Sequence, residues 1–225
     1  MNIESVEELR RLYAAPQPRA VHKQIGALDV HCRNFIALSP FVVLGTGSPA
    51  HDMDASPRGG PPGFVKVASD GALLIPDSPG NNRLDSLENI VATSRAGLLF
   101  MIPGFDETLR VNGRAVLSQD AADVALCTDE RRAPKLVIKV VVEAAYLHCA
   151  KAFMRSKLWH SSALTDRAML PSAGGMISDQ TGIKVPPNPA KTWRSAMPLT
   201  CSHARSSTST APTQRPNGAA PWTCN

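Results

Sequence analysis

Two short segments of the sequence each place an arginine among glycine, proline and small polar residues. Residues 54–67 read DASPRGGPPGFVKV and contain Arg58, whereas residues 77–86 read DSPGNNRLDS and contain Arg83. An arginine side chain forms bidentate, charge-assisted hydrogen bonds with phosphate, and glycine lets the backbone approach a ligand closely. The two segments are therefore candidates for binding an anionic group, above all a phosphate.

The second segment also leads into a predicted helix, which adds to its capacity for anions. A helix start presents N–H groups without intrahelical partners and a partial positive charge. Further donors beside the arginines are Ser56, Ser78, Asn81 and Asn82. The structural alternative is that each arginine is solvated or pairs with a nearby carboxylate, Asp54 or Asp85. Two such segments on successive parts of one predicted sheet favour the phosphate interpretation.

Strands and tight turns dominate the region around these segments. Runs rich in β-branched and apolar residues predict strands at 41–47, 53–58, 64–68, 72–76, 97–102 and 135–142. Asp70-Gly71 predicts a hairpin turn, and Asn112-Gly113 predicts a second hairpin within 108–118. Helical spacing of apolar residues predicts helices at 5–13, 21–36, 84–91, 121–127 and 145–159. The fold class is therefore mainly β, a small antiparallel barrel with flanking helices.

The last part of the chain differs in composition from the rest. Residues 188–225 are rich in serine, threonine, proline and alanine and contain no acidic residue. Such a segment buries too little apolar surface to offset the entropy of ordering. We therefore predict one folded domain over residues 1–187 and a disordered tail over 188–225.

The net charge of +5 is concentrated in that tail. Its basic residues are Lys191, Arg194, Arg205 and Arg215. Residues 1–187 are thus nearly neutral, without the basic stripe and stacking aromatics of a nucleic-acid interface. We predict no nucleic-acid partner.

The cysteines and the apolar runs indicate the compartment. The chain has five cysteines, an odd number, with no C-x-x-C spacing, which is typical of reduced thiols. The N-terminal sequence MNIESVEELRR is too polar for a secretory signal, and no apolar run approaches the ~20 residues of a membrane span. We predict a cytoplasmic protein without a membrane partner.

Two His-Cys pairs, His31-Cys32 and His148-Cys149, could be drawn as metal ligands. Adjacent residues on a helix face different directions, and both cysteines fit apolar stripes, so we predict core cysteines and no metal site. A thiol nucleophile at Cys149 would need an orienting group that the sequence does not indicate. His31 or His148 remains open as an axial ligand of haem.

Five blocks of the sequence together resemble the FMN-binding split-barrel family typified by pyridoxamine 5′-phosphate oxidase. The blocks are residues 31–46, 54–67, 73–90, 97–115 and 145–159. More narrowly, they resemble a bacterial branch whose substrate is unassigned. The resemblance implies a six-stranded antiparallel split barrel and a homodimer with FMN at the subunit interface.

In that family, basic and hydroxyl residues of two adjacent strands and of the following helix start hold the FMN phosphate. Carried over by position, the implied cofactor-binding residues are Ser56, Arg58, Lys66, Asn82, Arg83 and Ser86. Two positions depart from the family pattern. The usual Arg-Lys pair is Arg83-Leu84 here, and Gly60 stands where this branch commonly has an acidic residue.

Family members also place C-terminal residues over the flavin. The resemblance therefore implies flavin or substrate contacts from Arg155 and Trp159, with a core position as the alternative for Trp159. His148 and Lys151 lie three residues apart on one face of a predicted helix and could contact substrate or make dimer contacts. The expected function is that of an FMN-dependent oxidoreductase acting on an unknown small molecule. Pyridoxamine phosphate itself is not expected, because the C-terminal recognition pattern of that enzyme is missing. The alternatives are an FMN carrier or sensor without turnover and a haem-binding split-barrel protein.

Overall fold

The computed structural model describes residues 2–130 and 132–183. Within these residues the strands are β1 (Phe41–Gly47), β2 (Met53–Gly59), β3 (Lys66–Val67), β4 (Leu73–Pro76), β5 (Arg95–Met101), β6 (Thr108–Ser118) and β7 (Val137–His148). The helices are α1 (Val6–Arg11), α2 (Pro18–His22), α3 (Val30–Leu38), α4 (Asp85–Thr93), α5 (Ala121–Leu126), α6 (Lys151–Ser156) and α7 (Ala173–Thr181). Short 3-10 turns span Ser161–Ala163 and Arg167–Met169.

The chain divides into two compact units, Met1–Thr165 and Asp166–Asn225. The first contains the whole sheet and helices α1 to α6. The second contains, among its described residues, the turn Arg167–Met169 and α7, which begins at a serine cap, Ser172, and ends at Gly182. The predicted domain boundary at residue 187 and the predicted disorder of residues 188–225 lie outside the described residues.

The strands form one antiparallel sheet with the order β2-β1-β5-β6-β7-β4-β3. The sheet curls into a half barrel with helices beside it, which confirms the predicted fold class. The described residues hold seven strands rather than six. This difference is minor because β3 is only two residues long.

Alternation along the strands places one face of the sheet in the core. In β1, Val42, Leu44 and Thr46 are buried while their neighbours are partly exposed. Helix α4 covers this face with Leu87 and Ile90. The largest fully buried side chains include Phe100, Ile36, Leu73, Ile75, Leu98, Leu109 and Ile138.

Strand β2 lies at an edge of the described sheet and carries a proline in its middle. Pro57 pairs with Val43 of β1 and has no N–H group to donate. The pleat directs Asp54, Ser56 and Arg58 to one face of the strand, where they are partly buried. Strand β2 therefore presents an alternating set of polar side chains to the interior.

The predicted hairpin at Asn112-Gly113 is wrong, because β6 runs unbroken through both residues. Asn112 pairs with Ala144 and Gly113 pairs with Val142, so Glu143 is an extra residue in β7. A Cβ atom on Gly113 would lie 2.0 Å from the carbonyl oxygen of Val141. The glycine permits this close approach at a β-bulge and does not serve a turn.

The predicted helix over residues 145–159 is also wrong in its first part. Strand β7 continues to His148 because β6 pairs with it as far as Thr108, and α6 covers only Lys151–Ser156. The predicted strand at 135–142 therefore ends six residues before β7 does. The ladder uses the backbone N–H and C=O groups that a helix would need.

The predicted helix over residues 21–36 is interrupted as well. Between α2 and α3, Ile25 forms an isolated bridge with Ala145 through hydrogen bonds of 3.0 and 2.8 Å in both directions. Asp29 then caps the N-terminus of α3, and its carboxylate accepts from the N–H of Cys32 at 2.8 Å. The apolar residues predicted for one helix thus lie partly in this bridge and partly in α3.

Candidate functional site

A cavity of about 360 Å³ lies between the end of β2, the segment that follows β4, and the segment that precedes β7. We call it the cationic pocket. Its charged lining residues are Arg58, Asp77, Arg83, Arg132 and Lys135. Among the described residues, four cations against one carboxylate make this lining strongly positive. Ser56, Ser78, Asn81 and Asn82 add hydroxyl and amide groups.

Arg58 is the most buried of the four cations. Its side chain is 19% exposed, and one terminal nitrogen, Nη1, lies 3.7 Å from Oδ1 of Asp77. At this distance the two groups form an ion pair, but their separation is longer than that of a good hydrogen bond. The Nε atom is buried and has no hydrogen-bond partner. A buried donor without a partner costs about 1–3 kcal/mol, so a ligand oxygen at this position would recover that energy.

Arg83 lies at the mouth of the pocket and differs from Arg58 in both exposure and pairing. Its side chain is 76% exposed, and its Nε donates to the carboxylate of Asp85. That contact raises the pKa of the guanidinium. The N–H of Arg83 donates to Oδ1 of Asn81 at 3.0 Å, and Asn82 adopts a left-handed conformation with φ of 60°. These local bonds fix the turn that precedes α4.

Arg132 and Lys135 were missed by the sequence analysis. They lie in the turn between α5 and β7, and this turn reaches the pocket because β7 pairs with β4. Arg132 Nη2 donates to the backbone carbonyl of Asp77 at 3.3 Å. The signal was present as a run of basic residues around a proline, RRAPK, but nothing in it indicated proximity to Arg58.

The structure brings four of the six predicted cofactor residues together. Ser56, Arg58, Asn82 and Arg83 line the cationic pocket, and the other two do not. Lys66 donates from Nζ to the carbonyl of Gly63 at 2.8 Å. Ser86 is buried in the first turn of α4, and its hydroxyl donates to the carboxylate of Asp54. That bond links α4 to β2, and residues of both elements line the pocket.

The four predicted substrate residues lie outside the pocket lining. Lys151 and Arg155 are exposed on α6. Trp159 stacks on Phe153 with a centroid distance of 5.5 Å, and its Nε1 donates to the carbonyl of Phe105 at 2.7 Å. The indole thus ties the segment after α6 to the turn between β5 and β6.

The fourth residue, His148, belongs to a separate group that we call the tyrosine cluster: Lys23, Arg110, Tyr146 and His148. Lys23 Nζ and Arg110 Cζ lie 5.3 and 5.7 Å from the centroid of the Tyr146 ring, and Arg110 also donates to its hydroxyl at 3.0 Å. The His148 ring lies 5.1 Å from Tyr146, and its Nε2 is buried without a partner. Burial, together with the charges of Arg110 and Lys23, lowers the pKa of His148.

The described part of the chain lacks two other kinds of site. Over residues 2–130 and 132–183, no three histidine, cysteine or acidic side chains converge as metal ligands would. Of the two cysteines predicted for the core, Cys32 is buried, but the prediction is wrong for Cys149, which is exposed. No helix within the same residues has the length and apolarity needed to cross a bilayer.

The half barrel and its cationic pocket define a small antiparallel β-barrel protein with a polar cleft. A sequence model of the pyridoxamine 5′-phosphate oxidase family matches residues 28–149, more than half of the chain. The chain therefore belongs to the pyridoxamine 5′-phosphate oxidase family, which confirms the resemblance found in the sequence. No curated protein sequence matches the chain.

Several solved structures are similar in fold at low identity. HupZ of Group A Streptococcus is 15% identical, with 52% of this chain and 91% of that chain covered and a TM-score of 0.42. General Stress Protein 26 of Bacillus anthracis is 15% identical, with 52% and 94% covered and a TM-score of 0.39. A FAD-binding protein of Mesorhizobium loti is 13% identical, with 56% and 99% covered and a TM-score of 0.38.

Proposed function

We propose that the cationic pocket binds the phosphate group of FMN and that the protein is a flavoprotein. The observation that carries this proposal is the buried, unpartnered Nε of Arg58 in a pocket with four cations. A phosphate oxygen is a strong charge-assisted acceptor for such a donor. Ser56, Asn82 and Arg83 would add hydrogen bonds from two sides. Membership of the pyridoxamine 5′-phosphate oxidase family supports the same cofactor class.

FMN fits the chain better than a dinucleotide flavin. A diphosphate is commonly bound where a glycine-rich turn leads from a strand into a helix. Here the segment GTGSPA, residues 45–50, leads from β1 into another strand, β2, and the segment that leads from β4 into α4 contains a single glycine, Gly80. The first segment leads into no helix and the second lacks repeated glycines, so neither is a dinucleotide-binding turn, which favours the mononucleotide.

The reaction class that we propose is oxidation or reduction of a small molecule. FMN, when bound, supplies the redox chemistry, and the protein supplies binding, orientation and exclusion of water. The residues of this chain that would hold the phosphate are those of the pocket. We also propose a homodimer with the flavin between subunits, whose measurable sign is a dimer mass in light scattering with FMN present.

The test is a titration of FMN and of riboflavin, which lacks the phosphate, followed by flavin fluorescence. The parent should bind FMN far more tightly than riboflavin. Arg58→Ala should weaken FMN binding by about ten- to a hundredfold, because a charge-assisted hydrogen bond contributes about 1.5–3 kcal/mol. Riboflavin binding should change little in the same variant.

Arg110→Ala is the matched control, because it removes an arginine of the tyrosine cluster and leaves the pocket intact. Equal affinities of FMN and riboflavin for the parent would overturn the phosphate proposal. An absorption spectrum with a Soret band in place of flavin bands would favour the haem alternative. Failure of NADH and NADPH to reduce the bound flavin anaerobically would favour a carrier or sensor.

A further inference from the structure

The four cations described in the lining of the cationic pocket fall into two groups, two with a carboxylate partner and two without. Arg58 has a carboxylate partner in Asp77, and Arg83 has one in Asp85. Arg132 and Lys135 form no salt bridge with any described residue. Among the described lining residues, the two positive charges that remain after internal pairing are those of Arg132 and Lys135.

The backbone of the turn that carries these two cations is held at several points. The carboxylate of Asp129 accepts from the backbone N–H of Arg132 at 3.0 Å and so fixes the bend. Gln119 Nε2 donates to the carbonyl of Lys135 at 3.3 Å. Pro134, between the two cations, is buried, whereas Arg132 and Lys135 are exposed. The turn is anchored while its cationic side chains stay open to the cavity.

The same turn is joined to the opposite wall of the pocket. The N–H of Asp77 donates to the carbonyl of Leu136 at 3.1 Å, and Arg132 Nη2 donates to the carbonyl of Asp77 at 3.3 Å. The segment that contains Asp77 is thus hydrogen-bonded to the segment that contains Arg132. Arg132 and Lys135 line the same cavity as Arg58.

We propose that Arg132 and Lys135 supply the uncompensated charge that binds a phosphate monoester in this pocket, and that they affect its affinity more than Arg83 does. This inference rests on the proposed function. A phosphate monoester carries about −1.5 to −2 charges near neutral pH, which matches two free cations. Arg83 contributes less because it would have to give up Asp85 or share it, and because solvent screens its exposed side chain.

The experiment compares single substitutions by FMN titration at low and moderate salt, with riboflavin as the ligand that lacks phosphate. Arg132→Ala and Lys135→Ala should each weaken FMN binding by about five- to twentyfold, and both should reduce its salt dependence. Arg83→Ala should weaken it by less than about threefold. Riboflavin affinity should be unchanged in all three variants.

Two controls make the outcomes distinct. Arg95→Ala removes an exposed arginine that pairs with Glu143 outside the pocket, and it should leave FMN affinity unchanged. Arg132→Lys and Lys135→Arg preserve the charge and should keep most of the affinity. A thermal shift with inorganic phosphate, present in the parent and lost in Arg132→Ala and Lys135→Ala, provides a second readout.

The failures of the two proposals can be told apart. If the parent does not prefer FMN over riboflavin, the proposed function fails. If the parent prefers FMN but Arg83→Ala is the most damaging of the three substitutions, the function stands and the present inference is wrong. Parent-like FMN affinity in both Arg132→Ala and Lys135→Ala would also overturn it.

Discussion

The cationic pocket and the tyrosine cluster both gather positive charge, but they use it differently. Each contains one of the two described buried side-chain atoms without a hydrogen-bond partner, Nε of Arg58 and Nε2 of His148. In the pocket, the atom without a partner belongs to Arg58, whose side chain is always positively charged. In the cluster it belongs to an imidazole whose pKa is lowered by burial and by two neighbouring cations.

The cations of the tyrosine cluster already have hydrogen-bond and cation–π partners. Lys23 donates to the carbonyl of Leu147 at 2.8 Å and lies over the face of Tyr146, and Arg110 donates to the hydroxyl of that tyrosine. These contacts offset part of their charge through the ring quadrupole and through neutral acceptors. The difference favours the pocket over the cluster as an anion site, because the Nε atom of Arg58 has no partner whereas Lys23 and Arg110 already have partners.

The largest expected effect comes from breaking the strand register on which the tyrosine cluster depends. Arg110 faces Tyr146 because the bulge at Gly113 sets the pairing of β6 with β7. Gly113→Ala would place a methyl group 2.0 Å from the carbonyl oxygen of Val141, so the ladder must shift. We expect a loss of at least about 3 kcal/mol in the free energy of unfolding, measured by urea denaturation.

Gly45→Ala is the matched control for that substitution, because its added methyl would lie at an ordinary 3.6 Å from the carbonyl oxygen of Gly97. It should cost far less stability. Equal losses in the two variants would show that the bulge does not need a glycine.

A smaller effect should come from removing the charge of Asp77, the one carboxylate among the described residues that line the pocket. In Asp77→Asn, the guanidinium of Arg58 loses its counter-ion and the pocket loses a charge that repels phosphate. We expect FMN affinity to rise by about three- to tenfold at low salt, with less change at high salt. Glu143→Gln, which alters a carboxylate outside the pocket, should leave the titration unchanged. Weaker FMN binding in Asp77→Asn would mean that Asp77 is needed to orient Arg58.

The smallest expected effect concerns acid stability and the tyrosine cluster. The folded state lowers the pKa of His148, so the folded protein binds a proton less readily there than the unfolded chain does. Stability is therefore lost as pH falls from the usual histidine pKa of about 6.5 towards the lower folded value. The groups that face His148 are Arg110, Lys23 and Tyr146.

His148→Gln removes this titration, so its melting temperature should fall less than that of the parent between pH 7.5 and pH 5.5. Thermal unfolding at several pH values measures the difference. His22→Gln, at an exposed histidine of α2, should follow the parent curve. An unchanged pH profile in His148→Gln would show that the cluster does not disfavour the protonated imidazole.

Local patterns in the sequence predicted the parts of the fold that local interactions determine. The buried strands β1 and β5 and the hairpin at Asp70-Gly71 are found where the apolar runs and the turn signal placed them. Arg58 and Asn82 could be predicted as pocket residues because each lies in a segment whose composition permits close approach of a ligand.

The errors arise where distant pairing outweighs a local signal. Asn112-Gly113 has the composition of a two-residue turn, yet partners on both sides extend β6 through it. Residues 145–148 have a helical apolar pattern, yet β6 and Ile25 use their backbone groups. Arg132 and Lys135 could not be assigned to the pocket, because only the pairing of β4 with β7 brings their turn near Arg58.

The proline at the edge strand has a consequence for self-assembly. An exposed edge of a sheet can recruit a strand from another chain and begin uncontrolled aggregation. At Pro57 that recruitment is blocked on β2, because the residue has no N–H group to offer an incoming strand. A second copy of this chain that added a strand to β2 would therefore lack a ladder hydrogen bond at Pro57, which disfavours continuation of the sheet across that position.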